Sequence, residues 1–173
     1  MAMERAVPVL QVVGYQNSGK TTLAEKLIRA LTNEGVRVGT IKHHGHGGYP
    51  ELPLQKDSER HREAGAIVSA VEGDGLLSLS ATSHWSLEKI IRLYTCFEAE
   101  VVIVEGYKKE QYPKVVLLRS DEDASLLESV ENVIAVITWN EAPETWHENY
   151  KVFRITEEAE YIKWLVQRMR DAK

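Results

Sequence analysis

Gly14-Tyr15-Gln16-Asn17-Ser18-Gly19-Lys20-Thr21 is the run in this chain whose residue types and spacing point most directly to a chemistry. It satisfies the pattern G-x-x-x-x-G-K-[ST] at every fixed position, and Thr22 follows it. Gly14 and Gly19 allow backbone angles closed to other residues, so successive N–H groups turn inward toward phosphate oxygens. Lys20 brings a mobile positive charge to the outer phosphates, and the hydroxyl of Thr21 suits a Mg²⁺ ion bridging them. A helix starting at this point would add its positive dipole end. Residues Gly14–Thr22 therefore read as a polyphosphate cradle.

Such a cradle needs a carboxylate near the metal, at the end of a buried strand. Val101-Val102-Ile103-Val104 is a fully apolar run ending in Glu105, the expected metal partner and catalytic residue. Asp57 is a rival for the metal role. A strand-end glutamate with no metal role is the plainer reading of Glu105. Positive and His residues crowd into Lys42–His46 and Lys56–Arg62, with Lys108 further on. Lys42 directly follows one apolar run and Lys108 another, so both are expected on the rim where α/β sheets gather ligands. Lys42, His43, Lys56, Asp57, Arg60 and Lys108 thus form a candidate second anion site; a solvated basic surface is the alternative.

The elements that must position these residues follow from periodicity. Val7–Val13 reads as a strand buried on both faces. Leu23, Leu27, Ile28 and Leu31 recur at helical spacing, with Gly35 as the stop. Val36–Ile41 is the next strand, reached by a right-handed parallel crossover. Lys42–Lys56 is a long loop, and Asp57–Ala64 a short helix capped by Asp57 or Ser58. Ala66–Val71 and Leu76–Leu79 make a hairpin around Glu72-Gly73-Asp74-Gly75. Leu87, Ile90, Ile91 and Tyr94 share one helical face. Lys114–Leu118, Val133–Ile137 and a weaker Val152–Ile155 are strands. Ala159, Ile162, Leu165, Val166 and Met169 mark a C-terminal helix. The expectation is a single α/β domain over residues 1–173: P-loop NTPase-like, mostly parallel, flanked by helices, with a β-hairpin excursion.

Composition sets the bounds. The chain has 173 residues, 43% apolar and 27% charged, with a net charge of −5 that argues against general nucleic-acid binding. No apolar run approaches the roughly 20 residues that span a bilayer. The N-terminus carries no small-residue cleavage site, so no signal peptide is expected. One cysteine, Cys96, fits a reducing cytoplasm and reads as a small buried apolar residue. Tryptophans are more often core than interface, so the four here carry no specific inference. No Asn-Lys-x-Asp motif occurs, so the residues leave GTP and ATP undistinguished; Thr138–Glu141 follows a core strand where a base could be read.

In order along the chain stand the cradle, Val38-Gly39-Thr40-Ile41-Lys42-His43, Lys56–Ala66 and Val104-Glu105-Gly106-Tyr107-Lys108. In this combination the chain resembles the molybdopterin-guanine dinucleotide biosynthesis protein B family over about residues 7–140. The resemblance implies a homodimeric, weakly hydrolysing protein that binds GTP, to which the cradle adds Mg²⁺ and the lone cysteine a cytoplasmic setting. It also implies partners: the guanylyltransferase that joins GMP to the molybdenum cofactor, and that cofactor or its pterin precursor. Three departures stand out. Tyr49–Gln55 replaces the usual Asp and Pro-Gly, with Glu51 as the nearest substitute. Tyr107 stands where Phe is common, and the C-terminal region carries no transferable motif. Two other readings use the same residues. A metal-delivery GTPase would use His43, His44 and His46 as imidazole ligands. A small-molecule kinase would hold its acceptor on the basic segment.

Overall fold

The computed structural model describes residues 7–44 and 56–172. They fall in two compact units, one formed by Met1–Gly45 with Leu87–Lys173, the other by His46–Ser86.

The larger unit is built on a six-stranded, wholly parallel sheet. Its strands are β1 (Val9–Gly14), β2 (Val38–Lys42), β5 (Val101–Glu105), β6 (Lys114–Leu118), β7 (Val133–Thr138) and β8 (Lys151–Arg154). Their spatial order is β2-β5-β1-β6-β7-β8. The apolar runs β1, β5 and β6 are central and covered on both faces, which is why their sequences lack alternation.

Helices α1 (Lys20–Asn33) and α6 (Glu158–Asp171) cover one face. Leu23, Leu27 and Leu31 of α1 and Tyr161, Leu165, Val166 and Met169 of α6 pack there on Leu10, Val12, Ile103, Val115 and Leu117. The buried stripe of α6 is rotated from the expected one: Tyr161 is inside and Ala159 exposed. Helix α1 ends in two hydrogen bonds, Gly35 N to Thr32 O at 2.9 Å and Val36 N to Leu31 O at 3.1 Å. This Schellman closure requires the left-handed φ of 77° that Gly35 adopts.

The opposite face has two separate apolar clusters. Helix α3 (Leu87–Cys96) supplies Leu87 and Ile91 to one, against Ile41, Val102 and Val104. A 3₁₀ turn (Asp121–Ala124) leads into α4 (Ser125–Glu128), whose Leu126 and Leu127 join Val13, Val116, Leu118 and Val136 in the other. Helix α5 (Glu144–Asn149) leads on to β8.

Residues 106–113 link β5 to β6 across β1 without a helix, although parallel strands usually need a dozen or more connecting residues. The register explains the economy. Glu105 at the end of β5 pairs with Val12, and Lys114 at the start of β6 pairs with Gln11. β6 begins at the level where β5 ends, so the link only crosses β1 sideways. We call it the strap.

In the smaller unit, α2 (Lys56–Glu63) is followed by an antiparallel hairpin of β3 (Val68–Gly73) and β4 (Leu76–Ala81). The Ser69 hydroxyl donates to Ser58 O at 3.0 Å, tying strand to helix. Asp74 and Gly75 both take positive φ at the tip, as a two-residue hairpin turn demands.

One residue expectation is corrected. Cys96 is exposed at the end of α3, because the apolar face of that helix is already filled by Leu87 and Ile91. Trp85 and Trp139 are also exposed, whereas Trp164 packs against Phe153.

Candidate functional site

Strands β1, β2 and β5 lie side by side with their carboxyl ends on one rim, at Gly14, Lys42 and Glu105. That is where parallel α/β sheets offer ligand sites. Gly14 is buried, and a Cβ on it would collide with Ser18 Oγ and lie 2.9 Å from Leu117 O. The loop is therefore folded tightly over its own first residue. Asn17 and Gly19 take left-handed φ values of 61° and 91°, turning the chain into α1.

Gly19 occupies the N-cap of α1 with no side-chain cap, and the first turn carries no acidic residue. Its leading N–H groups are open to an anion. Ser18 Oγ is buried without a hydrogen-bond partner among the described residues, an orphan polar atom inside the loop. A polyphosphate would supply acceptors for all of these donors, so the cradle fits that ligand.

Lys20 Nζ donates to Tyr15 O at 2.6 Å, folding the lysine across its own loop. Burial lowers its pKa from the ordinary lysine value; Glu105 opposes the shift, and Lys108 and Lys42 add to it. The site thus holds crowded positive charge that a polyanion would relieve. Lys108 Nζ stands 4.2 Å from the centre of the Tyr15 ring.

Thr21 Oγ1 lies 3.0 Å from both carboxylate oxygens of Glu105. Hydroxyl and carboxylate together are a hard-oxygen pair of the kind Mg²⁺ takes, so these two residues fit that ion. Lys42 is the register partner of Glu105 across β2 and β5. Its Nζ is 3.3 Å from Glu105 Oε1 and 3.2 Å from Thr21 Oγ1.

The strap anchors the far side. His43 N donates to Glu105 O at 2.9 Å, and the His43 and Tyr107 rings sit 4.4 Å apart. Gly106 has a φ of 95°, and a Cβ there would come 3.0 Å from that of His43. The backbone of the strap is held from below by two buried polar residues that the sequence reading missed. Gln11 Nε2 donates to Gly106 O at 3.0 Å and to Tyr107 O at 2.7 Å. Lys114, fully buried, donates from Nζ to Tyr112 O at 3.0 Å and to Glu110 O. Burial pushes its pKa down. The available signal was polarity inside apolar strands: Gln11 interrupts Val-Leu-Gln-Val-Val, and Lys114 opens Lys-Val-Val-Leu-Leu.

The rim continues along β6 and β7. Arg119 lies over the exposed Trp139 ring at 6.0 Å, and Asn140 Nδ2 donates to Asp121 Oδ1 at 3.2 Å.

The structure thus brings Gly14–Thr22, Lys42, His43, Glu105 and Lys108 together around one rim. Lys56, Asp57 and Arg60 belong to the smaller unit, where the Arg60 guanidinium lies 3.9 Å from Asp57 on the same helix. His46 and Glu51 lie outside the described residues. Among those described, no group of three or more His, Cys, Asp or Glu side chains gathers into a metal site.

The model of the family described as molybdopterin guanine dinucleotide synthesis protein B matches residues 9–139. The chain belongs to this family. A relative in Bacillus subtilis (strain 168), named a probable molybdopterin-guanine dinucleotide biosynthesis adapter protein, is 46% identical over 154 residues, 88% of each chain. The crystal structure of a MobB homolog from Bacillus stearothermophilus matches with a TM-score of 0.75 at 43% identity, covering 94% of this chain and 98% of that one. That of Bacillus subtilis MobB matches with a TM-score of 0.79 at 39% identity, covering 92% and 96%. The family match contains the cradle, Lys42, Glu105 and the strap, so the residues that build the rim are family territory. Helix α6, which lies beyond the match, supplies core to one face of the sheet.

Proposed function

We propose that this protein is a cytoplasmic adapter in molybdopterin-guanine dinucleotide biosynthesis that binds GTP with Mg²⁺. The observation that carries the reading is the Thr21 hydroxyl held 3.0 Å from the Glu105 carboxylate beside the Gly14–Thr22 cradle. Gly14–Gly19 N–H groups and Lys20 would hold the phosphates, and Thr21 with Glu105 would hold the metal. The bound Mg²⁺ would neutralise phosphate charge. The base would lie toward Trp139, two strands from β1 and so roughly 10 Å away at the usual strand spacing, with Arg119 one strand nearer.

Membership of the family, and the adapter names of relatives such as that of Bacillus subtilis, support a role in serving a partner enzyme. The partner we infer is the guanylyltransferase that joins GMP to the molybdenum cofactor, with this chain acting as a homodimer. His43 and Lys108 on the rim would receive the phosphate-bearing pterin. Hydrolysis is expected to be slow, because no arginine finger or water-holding Gln is recognisable in cis; Gln16 is the nearest candidate.

Calorimetric titration tests the reading. GTP–Mg²⁺ should bind more tightly than ATP–Mg²⁺, and Lys20→Ala should abolish or severely weaken both while circular dichroism stays native. Unchanged affinity in the folded variant would refute the cradle; equal affinity for the two nucleotides would remove GTP. Light scattering near the 19.6 kDa monomer mass at micromolar concentration would remove the dimer.

A further inference from the structure

Thr21, Lys42 and Glu105 meet in an arrangement with more chemistry than an ion pair. A hydroxyl has one proton and two lone pairs. The proton of Thr21 is directed at Glu105, 3.0 Å away, so its lone pairs are left for a cation. Lys42 Nζ takes that place, donating to Thr21 Oγ1 at 3.2 Å while lying 3.3 Å from Glu105 Oε1. The ammonium therefore occupies the two oxygens that a divalent ion would use, with the same sign of charge.

The neighbouring lysines are differently engaged, Lys20 on Tyr15 O and Lys108 over the Tyr15 ring. Exposure differs as well. The Glu105 side chain is 13% exposed and fixed at the strand end, whereas that of Lys42 is 64% exposed and so has room to swing away.

We propose that Lys42 is a built-in counter-ion for the metal position. Resting on the GTP–Mg²⁺ reading above, it holds Thr21 and Glu105 in ligand geometry and competes with the divalent ion for both. When metal and nucleotide arrive together, the ammonium leaves the carboxylate and turns to the phosphates. Two consequences follow. The nucleotide-free protein binds divalent ions weakly, and nucleotide retains part of its affinity when metal is removed.

The test uses the full chain and the variants Lys42→Met, Lys42→Arg and Lys108→Met. Mn²⁺ is titrated without nucleotide, its free fraction read by electron paramagnetic resonance. GTP is titrated by calorimetry in Mg²⁺ and again in EDTA. Lys42→Met should bind Mn²⁺ at least about fivefold more tightly, the lower end of ordinary coupling between ligands. Its loss of GTP affinity on moving to EDTA should exceed that of the wild type by a similar factor. Lys42→Arg should behave as wild type, since it keeps the charge.

Unchanged Mn²⁺ affinity and an unchanged EDTA penalty in Lys42→Met would overturn the proposal. An equal Mn²⁺ gain in Lys108→Met would overturn it too, because net charge rather than shared ligands would then explain the effect. If the wild type binds no nucleotide under either condition, the GTP reading itself falls and this inference with it.

Discussion

Gly14→Ala is the substitution whose consequence follows most directly from the geometry. The added methyl would collide with Ser18 Oγ, 3.1 Å from Ser18 Cβ, and lie 2.9 Å from Leu117 O. Ser18 could turn, but Leu117 O belongs to β6, paired with Gly14 in the middle of the sheet, and cannot. The loop must therefore lift. Overpacking of this kind costs about 1–3 kcal/mol. In a chain of this size each kcal/mol moves the midpoint by about 2–4 °C, so thermal unfolding should shift down by about 2–12 °C. Binding should suffer more. Hydrogen bonds to charged groups are worth about 1.5–3 kcal/mol, so one displaced N–H costs GTP–Mg²⁺ roughly tenfold or more in affinity. Thermal unfolding by circular dichroism and calorimetric titration of the folded variant measure the two effects. Gly73→Ala is the control, with nothing within 4 Å of its added methyl. Adding Ser18→Gly to Gly14→Ala should restore part of the lost stability, because one of the two overlaps then disappears. If Gly14→Ala melts with the wild type and keeps its nucleotide affinity, the tight cradle is not what binds phosphate.

Three further outcomes are expected. Glu105→Gln keeps the shape of the side chain and an acceptor for Thr21. Phosphate release should fall by more than GTP affinity, and stability should change by no more than about 1 kcal/mol because Lys42 is largely exposed; equal losses would make Glu105 a binding residue only. Gln11→Leu removes the donors that hold Gly106 O and Tyr107 O, each worth about 1–3 kcal/mol if left unpaired. Hydrogen exchange at residues 106–113 should accelerate while β5 and β7 stay protected, and unchanged exchange would show that Gln11 does not secure the strap. Trp139→Ala should weaken GTP by about 1–3 kcal/mol, the usual loss for an aromatic stacked on a base, without altering affinity for inorganic triphosphate. Equal loss for both ligands would move the base elsewhere.

The sheet was readable because its strands are short apolar runs, and burial on both faces leaves a strand few other residues to use. Val101–Val104 could hardly be anything else. What the runs do not encode is spatial order. Nothing in Val36–Ile41 announces that β5 separates β2 from β1. That insertion makes Lys42 and Glu105 partners, and it is a fact of tertiary pairing. The cradle was legible for the opposite reason. Its function depends on backbone shape, backbone shape here depends on glycine, and glycine at fixed spacing is visible in sequence. The sequence groups Lys42 with the basic loop that follows it; only the register across β2 and β5 sets it beside Thr21 and Glu105.

The strap exposes a deeper limit. A helix that crosses a sheet satisfies its own backbone and announces itself by period, whereas a loop crossing a sheet does neither. Its carbonyls, once buried, must find donors from the surface beneath. Gln11 and Lys114 meet that need: they are register partners on β1 and β6, and both donate to carbonyls of the strap. Each looks like a blemish in its own strand; as a pair they satisfy the carbonyls of the short link that the register allows. The arrangement has a functional corollary. Because β6 starts level with the end of β5, the strap stays close to the rim, carrying Gly106, Tyr107 and Lys108 from the end of Glu105 toward Tyr15. A helical crossover would have led the chain away from the Gly14–Thr22 loop after Glu105; the register permits the shorter route, and the polar pair beneath the strap satisfies its backbone.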